Sequence, residues 1–168
     1  GGDPIVQGDF SLALLRRCKE AGLHTAIETA ANCEWEEMRR LLPFTDLVIV
    51  DIKHMDPEAH RRFTGASNRL ILRNVRRLAE TGKPMIIRVP VIPGVNDTAD
   101  QIRRIAEFVG PFRNLRLLEL LRFHRLGEGK YQALGLDYPA SGLRTPDDAK
   151  MRELAEIAKE FVPNTHVA

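Results

Sequence analysis

Three short apolar runs constrain this chain more than anything else in it: DLVIVDI at residues 46–52, PMIIRVPVI at 84–92 and LRLLELL at 115–121. Each is rich in branched and aliphatic residues and of strand length, and the first reads as a strand covered on both faces. The segments between them repeat their apolar residues at helical spacing. Leu70, Ile71, Asn74, Val75 and Leu78 share one face before Gly82, and Ile102, Ile105 and Val109 share another within a helix over residues 97–109. Strands joined by connections of a dozen or more residues must run parallel, through right-handed helical crossovers.

The flanking segments extend the same alternation. Phe10, Leu14, Cys18 and Ala21 predict a helix over residues 9–21, closed by Gly22. Residues 23–29 alternate as a strand, and residues 34–42 read as a short helix. Asp56-Pro57-Glu58 is a cap, a proline at the first helical position and an acid near the positive helix end, so a helix should run to about residue 63. Asn68 is placed to cap the next one. Thr145-Pro146-Asp147-Asp148 opens a last helix carrying Met151, Leu154, Ala155 and Ala158 inward, and residues 162–168 form a strand weakened by Pro163. Both a closed or part-closed β/α barrel and an open doubly wound sheet satisfy this order. In either, chemistry is expected at the carboxyl ends of the strands.

Composition removes several classes of function. At 168 residues the chain has the size of one domain. Its 25 Lys and Arg against 23 Asp and Glu leave no basic stripe for nucleic acid. No stretch approaches the roughly 18 apolar residues of a membrane span, and no charged-then-apolar leader opens the chain, which favours a soluble, cytoplasmic protein. Cys18 and Cys33 build neither a disulfide scaffold nor a thiolate site alone, and His54 and His60 lack the i, i+4 spacing of paired ligands.

The polar residues at strand ends are the functional signal. Glu28 and Thr29 end the first strand, Asp51 and Lys53 the second, Arg88 lies late in the third and His124 follows the fourth. In a parallel sheet all reach one rim, where carboxylates and cations together suit a small zwitterion. Each also has a structural reading: Asp51 with Lys53, and Arg88 with Glu119, as ordinary ion pairs, and His124 as a satisfied histidine. Gly1-Gly2-Asp3 and Pro90, Pro93 and Gly94 read as turns when taken alone. Lys53 beside Asp51 also permits a Schiff-base aldolase or lyase.

Five segments taken in order, GGDPIVQGDF, HTAIETA, TDLVIVDIKHMDPEAHRRFTGASN, IIRVPVIPGVND and LLRFHRLGEGKYQALG, resemble the activating enzymes of glycyl radical enzymes, in the radical S-adenosylmethionine (SAM) superfamily. The resemblance covers nearly the whole chain. It implies an α/β fold of parallel β/α units, the carboxyl-terminal portion of a part-open (β/α)6 TIM-like barrel, and a single domain over residues 1–168 without its first two strand-helix units. It implies SAM and a [4Fe-4S] cluster as cofactors, a glycyl radical enzyme as protein substrate, and an electron donor such as flavodoxin or ferredoxin.

By the same resemblance, Gly1, Gly2 and Asp3 match the motif that holds the SAM amino group, with Asp3 in place of the usual Glu. Asp51, Ile52 and Lys53 match a strand-end Asp-x-Lys, Arg88 a strand arginine and His124 a SAM-contacting histidine. Glu28, Thr29 and Asp51 match a monovalent-cation site. The family's C-x3-C-x2-C cluster loop has no counterpart in these residues. A chain of this kind is expected to be inactive alone, to expose its first strand as an edge, and to bind SAM weakly because the Gly1 amino group repels the ligand's ammonium. A non-catalytic SAM-binding or partner-binding fragment is the remaining alternative.

Overall fold

The computed structural model describes residues 2–168, so Gly1 lies outside the described residues. Five strands form one sheet: β1 (Ala26–Thr29), β2 (Leu47–Asp51), β3 (Met85–Val91), β4 (Leu115–Arg122) and β5 (Thr165–Val167). They lie side by side in chain order, every neighbouring pair parallel. Because the order never reverses, right-handed crossovers put every connecting helix on the same side of the sheet. That decides between the two architectures left open by the sequence: the sheet is wound once, as a barrel segment.

The helices are α1 (Gly8–Glu20), α2 (Trp35–Leu41), α3 (Pro57–Thr64), α4 (Arg69–Glu80), α5 (Ala99–Val109), α6 (Glu128–Ala133) and α7 (Asp148–Lys159). The inward stripes of α1, α2, α4, α5 and α7 share one core with the face of the sheet formed by Val48, Val50, Met85, Ile87, Val89, Leu118 and Leu120, all fully buried, whereas α6 buries no residue. The opposite face is only half covered, and burial along β3 alternates strictly. This corrects the expectation that β2 is covered on both faces: Leu47, Ile49 and Asp51 are intermediate in exposure because no helix lies over them. An apolar run in a barrel strand thus looks two-sided in sequence while only one side meets a helix layer.

Local chemistry sets most boundaries. Asp56 accepts from the Glu58 and Ala59 amides at 3.0 and 2.7 Å to open α3, and Gly65 closes it at φ 83°. Thr98 caps α5 and Asp147 caps α7. Two expectations change. The first strand begins at Ala26, not residue 23, because Asp46 takes the Thr25 amide at 2.8 Å and Lys19 Nζ at 2.9 Å and folds the chain into a turn there. Those contacts, the Lys19 pair first, hold the Asp46 carboxyl well below the usual carboxylate range. Asn68 precedes α4 but makes no capping bond with its side chain; its amide donates instead to the carbonyls of His54 and Met55. No described helix is long and apolar enough to cross a membrane.

Candidate functional site

The register aligns Asp51 with Arg88 and Arg88 with Glu119 on adjacent strands. Side chains alternate along a strand, so Glu28, Asp51, Lys53, Arg88 and Glu119 all project from the half-open face, toward its carboxyl rim. Lys53 Nζ donates to Asp51 Oδ2 at 2.8 Å. Arg88 Nε donates to Glu119 Oε2 at 2.6 Å, and its Nη1 to Glu28 Oε2 at 2.8 Å. The structural ion pairs read from the sequence are therefore present, and Arg88 bridges two carboxylates. Three acids meet two cations, leaving one excess negative charge.

That excess lies with Glu28 and Glu119, which share the one Arg88 guanidinium, whereas the unpaired acceptor lies on Asp51. Asp51 Oδ1 is buried and has no hydrogen-bond partner among the described residues. A buried acceptor left unpaired is costly, so this oxygen, like the buried Asn74 and Asn114 Oδ1 atoms, keeps capacity to accept a further hydrogen bond. Lys53 Nζ in turn is engaged with Asp51 Oδ2, the structural ion pair that the sequence allowed, and the aldolase reading gains no further support from this geometry.

The other sequence candidates are placed differently. Gly2 has φ 97°, and a Cβ there would meet nothing, so its requirement is conformational. Asp3 is not a free carboxylate: Oδ1 accepts from the Ile5 amide at 3.1 Å, and Oδ2 from Thr29 Oγ1 at 2.8 Å and the Ala30 amide at 2.9 Å. It clasps its own segment to the end of β1. Thr29 is occupied by that clasp and lies on the opposite face from Glu28, so Glu28, Thr29 and Asp51 do not form a convergent side-chain set. No group of three His, Cys, Asp or Glu is placed to hold a metal ion among the described residues. Ile52 is buried at the end of β2. His124 is exposed beyond β4, its Nδ1 accepting from the Leu126 amide at 3.3 Å; it does not join the ion-pair cluster.

Beside Lys53 the rim opens into a mostly apolar cleft of about 570 Å³, walled by Phe63, Pro90, Ile92 and Leu143 and bearing His54 and His60. Burial holds His54 below its ordinary value. Pro93 and Gly94 form the turn that their residue types imply, with Gly94 at φ 72° and the Val95 and Asn96 amides on the Ile92 carbonyl. Buried asparagines, whose role as loop clamps no spacing announces, fix such loops. Asn74 holds the carbonyls of Ala31 and Cys33 after β1, and Asn96 holds those of Lys53 and Pro90. The available signal was an amide residue in an otherwise apolar helix face, or just past a proline-glycine turn.

Fit to the implied cofactors divides. For SAM, which carries an ammonium, a carboxylate and a sulfonium, the acid excess and the orphaned Asp51 Oδ1 are suited to its cationic end. For a [4Fe-4S] cluster the residues do not fit. There are two cysteines, not three. Burial, with Asp3 and Glu37 nearby, pushes the Cys33 thiol up to about 11, the reverse of what a thiolate ligand needs.

A once-wound parallel β/α sheet with an ionised carboxyl rim and a cleft beside it belongs to the TIM-like barrel class of α/β proteins, with its site where that class carries chemistry. No family model matches the chain. It is 39% identical over 163 residues to the (2S)-3-sulfopropanediol dehydratase activating enzyme of Klebsiella oxytoca, covering 96% of this chain and 51% of that protein. It is 41% identical over 159 residues to the 4-hydroxyphenylacetate decarboxylase activating enzyme of Clostridioides difficile, covering 94% and 50%. A crystal structure of a domain of pyruvate-formate lyase-activating enzyme from Bacteroides vulgatus superposes with a TM-score of 0.82 at 27% identity, covering 100% of this chain and 95% of that one. Nearly the whole chain is thus homologous to the activating enzymes of glycyl radical enzymes, and it spans about half the length of these curated relatives.

Proposed function

We propose that this chain is the SAM-facing and partner-facing part of a radical SAM activase that generates a glycyl radical on a partner enzyme. The observation that carries the reading is Asp51 Oδ1, a buried acceptor without a donor among the described residues, in a chain 39% identical over 163 residues to an activating enzyme. SAM bound there supplies, on one-electron reductive cleavage, a 5′-deoxyadenosyl radical that takes a hydrogen atom from a glycine of the partner. The chain's own residues bind and orient. Asp51 accepts from the ligand's donors while Lys53 neutralises its other oxygen. Arg88 receives the ligand carboxylate in exchange for its contact with exposed Glu28, keeping Glu119. Gly2 lets the backbone approach the ligand, and His124 approaches it from beyond β4. The apolar cleft excludes water next to Lys53.

Within this reading the protein is a cytoplasmic oxidoreductase of anaerobic metabolism, and flavodoxin or ferredoxin supplies the electron. The [4Fe-4S] thiolates lie outside these 168 residues, since Cys18 and Cys33 do not supply them, and residues 1–168 are one domain lacking two strand-helix units. The test is a chimera in which this chain replaces the 163 residues that it matches in the Klebsiella relative. With iron, sulfide, SAM and a reductant, the folded chimera should release 5′-deoxyadenosine, and an Asp51→Asn chimera should release far less. A folded, cluster-loaded chimera that releases none would overturn the proposal.

A further inference from the structure

Parallel strands bond in a fixed alternation, and on this rim the alternation is cut. The Ile52 amide donates to the Arg88 carbonyl at 2.8 Å. The next donor in the pattern is residue 90, which is a proline and has no N–H. The chain therefore leaves β2 at the very residues that carry the site, with its ladder ended one step before Lys53. A side chain takes over. Asn96, fully buried, donates from Nδ2 to the Lys53 carbonyl and to the Pro90 carbonyl, both at 2.7 Å, and its Oδ1 accepts from the Ile92 amide at 2.7 Å. One amide thus ties the end of β2, the end of β3 and its own turn. Beyond Lys53, Asn68 takes the next two carbonyls and Gln101 Oε1 the Met55 amide.

We propose that Asn96 is a positioning residue: where the β2–β3 ladder ends at Pro90, it ties the Lys53 carbonyl to the Pro90 carbonyl, and so fixes the Lys53 backbone with Nζ on Asp51 Oδ2 and Oδ1 open to the ligand. The functional half of this rests on the SAM reading above; the geometric half does not. A built-in control exists at the opposite end of the sheet. Asn114, also buried, donates to the carbonyls of Leu78 and Lys83 at 3.2 and 2.5 Å. It is the same kind of clamp, far from Lys53. If buried asparagine clamps acted only through global stability, Asn96→Ala and Asn114→Ala would be equivalent at the rim.

The test uses the 168-residue chain with its lysines reductively methylated with ¹³C-formaldehyde. The dimethyl-lysine NMR signal of Lys53, assigned by its loss in Lys53→Arg, reports the Asp51 contact without any ligand. Asn96→Ala should move that signal to the position of the solvent-exposed lysine Lys130, and Asn114→Ala should leave it in place. Apparent SAM affinity, from amide shifts, should fall about tenfold in Asn96→Ala, within the coupling expected of residues in one network, and should fall no further when Asn96→Ala is added to Lys53→Met.

An unmoved Lys53 signal, an equal movement in Asn114→Ala, or equal losses of affinity in both Lys53 backgrounds would overturn the proposal. Should Asn96→Ala fail to fold, Asn96→Ser, whose hydroxyl reaches at most one carbonyl, must still shift the Lys53 signal part of the way. A wild-type chain that ignores SAM while its Lys53 signal obeys Asn96 would overturn the SAM reading and uphold the positioning role.

Discussion

Replacing Arg88 with Gln separates what holds this rim together from what it holds. The guanidinium joins Glu119 at 2.6 Å, the two side chains being 26% and 17% exposed, and joins Glu28, which is 56% exposed, at 2.8 Å. An exposed pair contributes about 0.2–1 kcal/mol, while removing one partner of a fully buried pair costs about 3–5 kcal/mol. A pair as sheltered as Arg88 with Glu119 falls between, so Arg88→Gln should cost about 2 kcal/mol, nearly all of it from stranding Glu119. In a domain of this size that lowers the melting temperature by about 4–8 °C. The assay is urea unfolding, read as a lower midpoint with an unchanged slope. The cause is tested by the double variant Arg88→Met/Glu119→Met. Its methionines would face Ile86, Leu117 and Leu121 on the same half-open face, and with no charge left unpaired most of the stability should return. A single variant within about 0.5 kcal/mol of wild type, or a double variant as unstable as the single, would refute the reasoning.

Three further outcomes follow from other sites. Asp56→Ala should cost about 1–2 kcal/mol, because two amides of the first turn of α3 lose their acceptor; hydrogen exchange should quicken in α3 before the sheet. Burial holds His54 below 6.5, so the unfolded chain takes up its proton first. Stability should therefore be complete above that pH and decline as pH falls below it, and His54→Asn should flatten this part of a urea-midpoint profile. With the Cys33 thiol pushed up to about 11, its alkylation by iodoacetamide should be slow at neutral pH and keep accelerating up to about that value.

Much of this fold is legible in the sequence because its rules are local. Asp56-Pro57, Asp147 and the glycines at 22, 65 and 82 mark helix ends by their own conformational chemistry. The apolar runs give three of the five strands, and parity along each strand sends Asp51, Lys53 and Arg88 to one rim. What the sequence leaves hidden depends on partners far along the chain. Asp46 shortens β1 by reaching back to Thr25, Asn68 abandons its cap for carbonyls near residue 54, and Asp3 closes on Thr29. Arg88 meets Glu28 across an intervening strand, 60 residues away. Asn96 looks like part of a turn, yet its amide ties the carbonyls of Lys53 and Pro90 where the β2–β3 ladder ends. Each is a polar side chain satisfying a distant backbone or charge, which no periodicity records.

The central claim, that the carboxyl rim around Asp51 binds SAM, is tested most directly by titrating the isotope-labelled chain with SAM and following its amide signals. The account predicts saturable shifts centred on Asp51, Lys53, Arg88 and the segment through His124, with an apparent affinity about tenfold weaker in Asp51→Asn, as expected when a charge-assisted hydrogen bond is weakened. Absence of any shift at millimolar SAM, or shifts that Asp51→Asn leaves unchanged, would contradict it.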